Sequence, residues 1–153
     1  MAESSRIIPA RITSVLFACT HNSIRSPMAE GMLKKLAGTT LYVDSVGVRD
    51  GAIDPFVTAV MAEIGVDLSR HRCKTFDRLE DTSFDLVVSL SPEAQHQAVE
   101  LTRTMACDVE FWNTFDPSLV EGSREMRLDA YRHVRDTLYR RIRNRFGLEQ
   151  AAI

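Results

Sequence analysis

The sequence has little of what would place it in a specialised class. Its three cysteines, Cys19, Cys73 and Cys107, form no CxxC pair, so neither a disulfide framework nor a zinc ribbon is expected. An excess of one charge is missing too. Nineteen basic residues stand against 21 acidic ones, a net charge of −2, which excludes a global basic footprint for nucleic acid. Apolar runs such as VLFA at 15–18 fall far short of the ~20 residues a membrane helix needs. The opening MAESSRIIPARIT carries charges and a proline, without the apolar stretch of roughly 7–15 residues found in a secretory signal. The expected setting is cytoplasmic, with reduced thiols and neither nucleic acid nor membrane as partner. Internal repeats and low-complexity segments are absent.

What is there suits one domain. The chain has 153 residues and a mass of 17.2 kDa, and is read as a single unit over 1–153 with 1–11 a loose N-terminal arm. Apolar residues make up 44%, enough for a core that needs no metal or disulfide. Strand signals lie at 14–19, 40–46, 84–90 and 107–112. Helical patterns alternate with them. The first starts at Pro27, with Ser26 as N-cap and Glu30 as a capping-box acid, and stops at Gly38. The second runs from Asp54-Pro55 to Gly65, and the third from Ser91-Pro92 to about Met105. The last covers 124–145, with Leu128, Tyr131, Val134, Leu138 and Ile142 as its apolar stripe. Such alternation predicts an α/β fold of βαβ units around a parallel sheet. The last helix carries eight arginines against three acids, either an anionic docking face or an ordinary solvated one. His96 and His133 fall at solvent-facing helical positions.

The informative segment is Cys19-Thr20-His21-Asn22-Ser23-Ile24-Arg25-Ser26. It sets a cysteine at a strand end and an arginine six residues later at a helix start. The intervening backbone N–H groups can curl into a nest for an oxyanion. The helix N-terminus aims positive charge at the same point, and Arg25 offers a planar fork for phosphate-like oxygens. Electropositive surroundings of this kind favour the thiolate, the nucleophilic form of cysteine. Asn22 suits a tight anion loop, because asparagine tolerates positive φ better than most residues. Asp116, before Pro117 in the loop between the last strand and helix, can reach the C-terminal edge of the sheet, where open α/β folds bind ligands.

CTHNSIRSPMAE resembles the phosphate loop of the low-molecular-weight protein tyrosine phosphatase family. VDSVG, GVDLSRHR, FDLVVSL and Asp116-Pro117 resemble further segments of that family, so the likeness extends over about 14–142. The resemblance implies a four-stranded parallel sheet flanked by helices on both faces, with the phosphate loop between strand 1 and helix 1. It implies Cys19, Arg25 and Asp116 as catalytic residues, and Thr20, His21, Asn22, Ser23, Ile24, Arg25 and Ser26 as the phosphate-binding loop. Cys19 would attack phosphorus to form a cysteinyl-phosphate, Arg25 and the loop amides would hold the equatorial oxygens, and Ser26 would donate to the thiolate. Asp116 would act first as acid and then as base. Asn22, Ser26, Ser45 and His71 would form the supporting polar network. The cysteine mechanism needs neither metal nor other cofactor.

Several positions depart from that family. His21 stands where glycine is typical, Ile24 replaces a vicinal cysteine, and Ser118-Leu119 replaces a tyrosine pair. The loop VGVRDGAIDP has no aromatic to wall a pocket. Phe115, Phe111 or Trp112 could form a wall, with core packing the expected role of the last two. The segment GVRDGAIDPFVTAVMAEIGVDLS and the stretch 112–117 resemble the related thioredoxin-coupled arsenate reductases. Those enzymes relay oxidation through two cysteines after the third strand. Here Ser91 takes the first such place and 92–106 contains no cysteine, while Cys73 and Cys107 read as packing thiols. Pro27 favours the phosphatases. The leading reading is a cysteine-dependent phosphomonoester hydrolase acting on a phosphorylated protein or a small phosphate ester. The alternatives are an arsenate reductase using an external low-molecular-weight thiol and a non-catalytic phosphate- or phosphoprotein-binding module. Phosphotyrosine, phosphoarginine, a small ester and arsenate all fit, and the oligomeric state is not encoded legibly.

Overall fold

The computed structural model describes residues 11–80 and 83–148. The expected N-terminal arm lies outside them, apart from Arg11. Four strands form one sheet in the order β2-β1-β3-β4: β1 (Ser14–Cys19), β2 (Tyr42–Gly47), β3 (Leu86–Ser89) and β4 (Asp108–Phe111). All pairings are parallel, with Cys19 opposite Gly47 and Ala18 opposite both Val46 and Ser89. Every residue of β1 is buried, as its uninterrupted apolar run requires of a strand covered on both faces. Val15, Phe17 and Cys19 join one core, Leu16 and Ala18 the other.

Helices α1 (Arg25–Ala37), α2 (Pro55–Ala62) and α4 (Arg124–Phe146) contribute to the first core, and α3 (Pro92–Leu101) to the second. The chain leaves β1 towards β2 on one side and later enters β3 on the other. The carboxyl end of β1 is therefore the switch point at which open α/β sheets open a crevice, and Cys19 ends that strand.

The helix starts read at Asp54-Pro55 and Ser91-Pro92 hold, and side-chain caps secure them. Asp54 caps α2 by accepting from the Phe56 amide at 2.8 Å, Ser91 caps α3, and Ser123 caps α4. Helix α1 is the exception. It begins at Arg25 with Ile24 as an N-cap that makes no side-chain bond, so Ser26 lies inside the helix. Its hydroxyl is engaged by Cys19 and Asn22 instead. Glu30 is buried against Ser45 and is no capping-box acid. Helices α2 and α3 stop earlier than the periodicity suggested.

The stripe Leu128, Tyr131, Val134, Leu138 and Ile142 is buried as expected. Half of the eight arginines on α4 are exposed, yet most have a carboxylate or ring partner. Arg135 is 8% exposed and donates to the Val60 carbonyl at 2.7 Å and to Glu63 at 2.8 Å. Arg132 pairs with Glu63, Glu125 and Asp129, and Arg145 with Glu110. Arg141 lies over the Trp112 ring and Arg143 over Tyr139. Trp112 is buried and meets Phe17 edge-on at 6.2 Å. Phe111 is not a core residue: it is 42% exposed on the edge strand.

Arg135→Ala is expected to lower the unfolding free energy by about 2 kcal/mol, since it strips donors from a buried carbonyl and a carboxylate. Arg140→Ala, at an exposed position, should change it by less than about 0.5 kcal/mol. Urea denaturation of the two variants checks the contrast.

Candidate active site

The loop from Cys19 to Arg25 turns on one residue. Asn22 has φ 58°, the only positive φ at a non-glycine among the described residues. Its side chain and carbonyl are fully engaged. Nδ2 donates to Ser26 Oγ at 2.8 Å and to Ser45 Oγ at 2.9 Å. Oδ1 accepts from the Lys74 amide at 3.1 Å and lies 3.1 Å from His71 Nε2. The carbonyl accepts from Cys73 Sγ at 2.9 Å. Ser45 in turn donates to Glu30, whose other oxygen binds Lys34. The strand beneath leaves room for this turn: a Cβ on Gly47 would lie 2.6 Å from the Asn22 amide nitrogen.

Cys19 is 2% exposed. Its Sγ lies 2.9 Å from Ser26 Oγ and 3.4 Å from the Ser26 amide nitrogen. Because Ser26 Oγ already accepts the Asn22 amide, its own proton is left for Cys19 Sγ or for the Val46 carbonyl at 3.3 Å. Arg25 is held from the far side of the site. Nη1 donates to the Thr114 carbonyl at 2.9 Å, and Nη2 approaches Thr20 Oγ1 at 3.4 Å, which donates to Ser91. Two of the five guanidinium N–H donors are thus used. Thr114 precedes Asp116 by two residues, so the same bond anchors the loop that carries the carboxylate.

A cleft of about 420 Å³ brings Cys19, Arg25 and Asp116 together, with His21, Ser23 and Ile24 from the loop, Ile53, Asp54 and Pro55 from the approach to α2, and Ser118. Asp116 Oδ1 accepts from the Ser118 amide at 3.0 Å and its hydroxyl at 2.7 Å, so Asp116 also starts the single turn Pro117–Leu119. His21 is exposed beside the cleft without a positive φ, and Gly51 makes space for it: a Cβ there would stand 3.2 Å from His21 Cβ. Among the described residues no Phe, Tyr or Trp lines the cleft; Phe115 is 57% exposed and Trp112 is buried.

Ser45 and His71 therefore support the loop from below and do not line the cleft. Three participants escaped the sequence. Glu30 anchors Ser45; Asp54 lines the cleft and accepts the Tyr131 hydroxyl at 2.7 Å; Cys73 clamps the Asn22 carbonyl. Asp54 carried a usable signal, a helix cap following the C-terminal end of a strand. The Cys73 contact carried none, being made to a backbone atom 51 residues away. Burial pushes the Cys73 thiol up, with Cys19 and Asp50 adding to the shift, which keeps the S–H donor in place. Burial pushes the Tyr131 phenol up as well, reinforced by its bond to Asp54. Burial holds the His71 imidazole below its ordinary value, against an opposing pull from Glu30.

Comparison with known proteins places these features. The family model described as low molecular weight phosphotyrosine protein phosphatase matches residues 14–152. A protein named arsenate reductase from Halalkalibacterium halodurans is 34% identical over 131 residues, covering 84% of this chain and 91% of its own. A glutaredoxin arsenate reductase of Synechocystis is 30% identical over 131 residues, covering 85% and 93%. Among solved structures, an arsenate reductase in its oxidised state superposes with a TM-score of 0.72 at 28% identity, covering 89% and 98%. A tyrosine phosphatase of Erwinia amylovora shares the fold with a TM-score of 0.72 at 21% identity, covering 92% and 94%.

Asn22→Ala should cost about 2–4 kcal/mol, through lost bonds to buried groups and an unfavourable left-handed alanine. Thermal and urea unfolding read this directly. The His71 shift fixes a pH dependence. The folded state favours neutral imidazole, so below about pH 6.5 the unfolded chain binds the proton more readily and stability falls as pH drops. Unfolding free energy measured between about pH 7.5 and pH 5 should decline more steeply for the native protein than for His71→Asn.

Proposed function

Because the chain belongs to the low-molecular-weight phosphotyrosine protein phosphatase family, we propose that it is a phosphomonoester hydrolase working through a cysteinyl-phosphate intermediate. The supporting observation is the single cleft shared by Cys19, Arg25 and Asp116, with Ser26 Oγ 2.9 Å from the sulfur. Cys19 Sγ attacks phosphorus in line with the leaving oxygen. The Ser26 hydroxyl stabilises the thiolate before attack and on its release. Loop amides and the guanidinium donors of Arg25 not used by Thr114 and Thr20 hold the equatorial oxygens. Asp116 protonates the departing oxygen, then takes a proton from the water that cleaves the S–P bond. One carboxyl serves both steps because the second reverses the proton demand of the first. Asn22, Ser45 and His71 position the loop and do not touch the reacting atoms. A cytoplasmic setting, where Cys19 stays reduced, belongs to this reading.

A second reading is favoured by the relatives named arsenate reductase. Arsenate would bond to Cys19 sulfur with loss of water. An external thiol would then attack that sulfur, expelling arsenite and leaving a mixed disulfide that a second thiol resolves. An external thiol is part of this reading because Ser91, at the place of a relay cysteine, caps α3 and binds Thr20.

Cys19→Ser should abolish turnover of an aryl phosphate, and retention of activity would refute the mechanism. Asp116→Ala should lower kcat by about 10²-fold or more for an alkyl phosphate and much less for p-nitrophenyl phosphate; equal losses would remove Asp116 from the acid role. Parallel assays of arsenate with glutathione, mycothiol and thioredoxin systems decide between the two readings.

A further inference from the structure

The arginines of α4 have different partners. Arg132, Arg135 and Arg145 are bound to carboxylates. Arg124 and Arg127, at the start of the helix, are not: both guanidiniums lie over the ring of Phe56, at 5.3 and 4.7 Å from its centroid, and neither makes an ion pair among the described residues. Phe56 directly follows Asp54 and Pro55, which line the catalytic cleft, and it meets Tyr131 edge-on at 5.2 Å. The two cations thus lie over a ring whose residue directly follows the cleft lining in the chain.

Glu125 and Asp129 are paired with Arg132, while the Asp54 and Asp116 carboxylates are held by neutral donors on Tyr131, Phe56 and Ser118, so none of the four is bonded to Arg124 or Arg127. Arg124 also sits in the first helical turn, where the helix dipole disfavours a cation. Its placement adds to the positive potential there. Stacking on Phe56 restrains both side chains, which lowers the entropy lost when they grip an anion.

We propose that Arg124 and Arg127, platformed on Phe56, form a docking site for acidic side chains flanking the phosphorylated residue of a protein substrate. This rests on the phosphatase reading and names its substrate class: a phosphoprotein segment rich in Asp or Glu. The catalytic loop takes the phosphate, and the paired guanidiniums take carboxylates a few residues away.

The test compares a phosphotyrosine peptide flanked by glutamates with its glutamine counterpart. At low salt the native protein should prefer the acidic peptide by about tenfold in kcat/KM, and the preference should shrink as salt rises. R124Q/R127Q should erase the preference while leaving p-nitrophenyl phosphate turnover unchanged, which also reports an intact fold. R124E/R127E should invert it towards a lysine-flanked peptide. A second arm measures peptide binding to Cys19→Ser by fluorescence anisotropy. If the native protein turns over no phosphate ester, the phosphatase reading fails, and the binding arm alone decides the docking site. Equal binding of acidic and neutral peptides, no binding of either, or a preference that survives R124Q/R127Q overturns the proposal.

Discussion

The site depends on a single residue held against its conformational preference. Asn22 adopts the left-handed region, a costly state for a residue with a Cβ unless its surroundings over-determine it. They do so through bonds to Ser26 and Ser45, bonds from Lys74 and Cys73, and the contact with His71. This turn lies in the middle of the loop that brings Cys19 and Arg25 to one cleft. The burial of Ser45 and Glu30, the neutral bias of His71 and the protonated Cys73 all follow from keeping that turn satisfied in a dry interior.

The sheet supplies the other half. Its strand order places a switch point at the end of β1, so the loop projects into the crevice between the connections that leave β2 and β4. Gly47, opposite Cys19 in the adjacent strand, lets the Asn22 backbone settle onto β2. On the other side, Arg25 reaches the Thr114 carbonyl beyond β4. One guanidinium thereby links the anion loop to the segment bearing Asp116.

Much of this was legible in the sequence, for physical reasons. An apolar strand, a Cys-x5-Arg loop and a helix start are local patterns, and so is the suitability of asparagine for positive φ. Ser26 shows the limit. Its position before Pro27 reads as a cap, yet the hydroxyl has better partners in Cys19 and Asn22, contacts that exist only after the loop has curled. Glu30 was misread for the same reason, since Ser45 lies on a different strand. The arginine run was ambiguous because composition cannot say which guanidiniums meet carboxylates. Tertiary placement splits them, with Arg135 buried on Glu63 and Arg127 over Phe56. Phe111 was assigned to the core although an edge strand left one face uncovered.

Several of the bonds that seat the loop are long in sequence. Lys74 is 52 residues from Asn22, and Thr114 is 89 residues from Arg25. Local pairing of β1, α1 and β2 cannot complete the loop; it waits for closure of the largest chain segments, the slowest contacts to form. The order of assembly is thereby built into the chemistry. A chain still emerging, with β4 and the segment after it unmade, carries its cysteine in an unfinished cradle. Cys19 comes into register with Arg25 and Asp116 only as the molecule becomes whole.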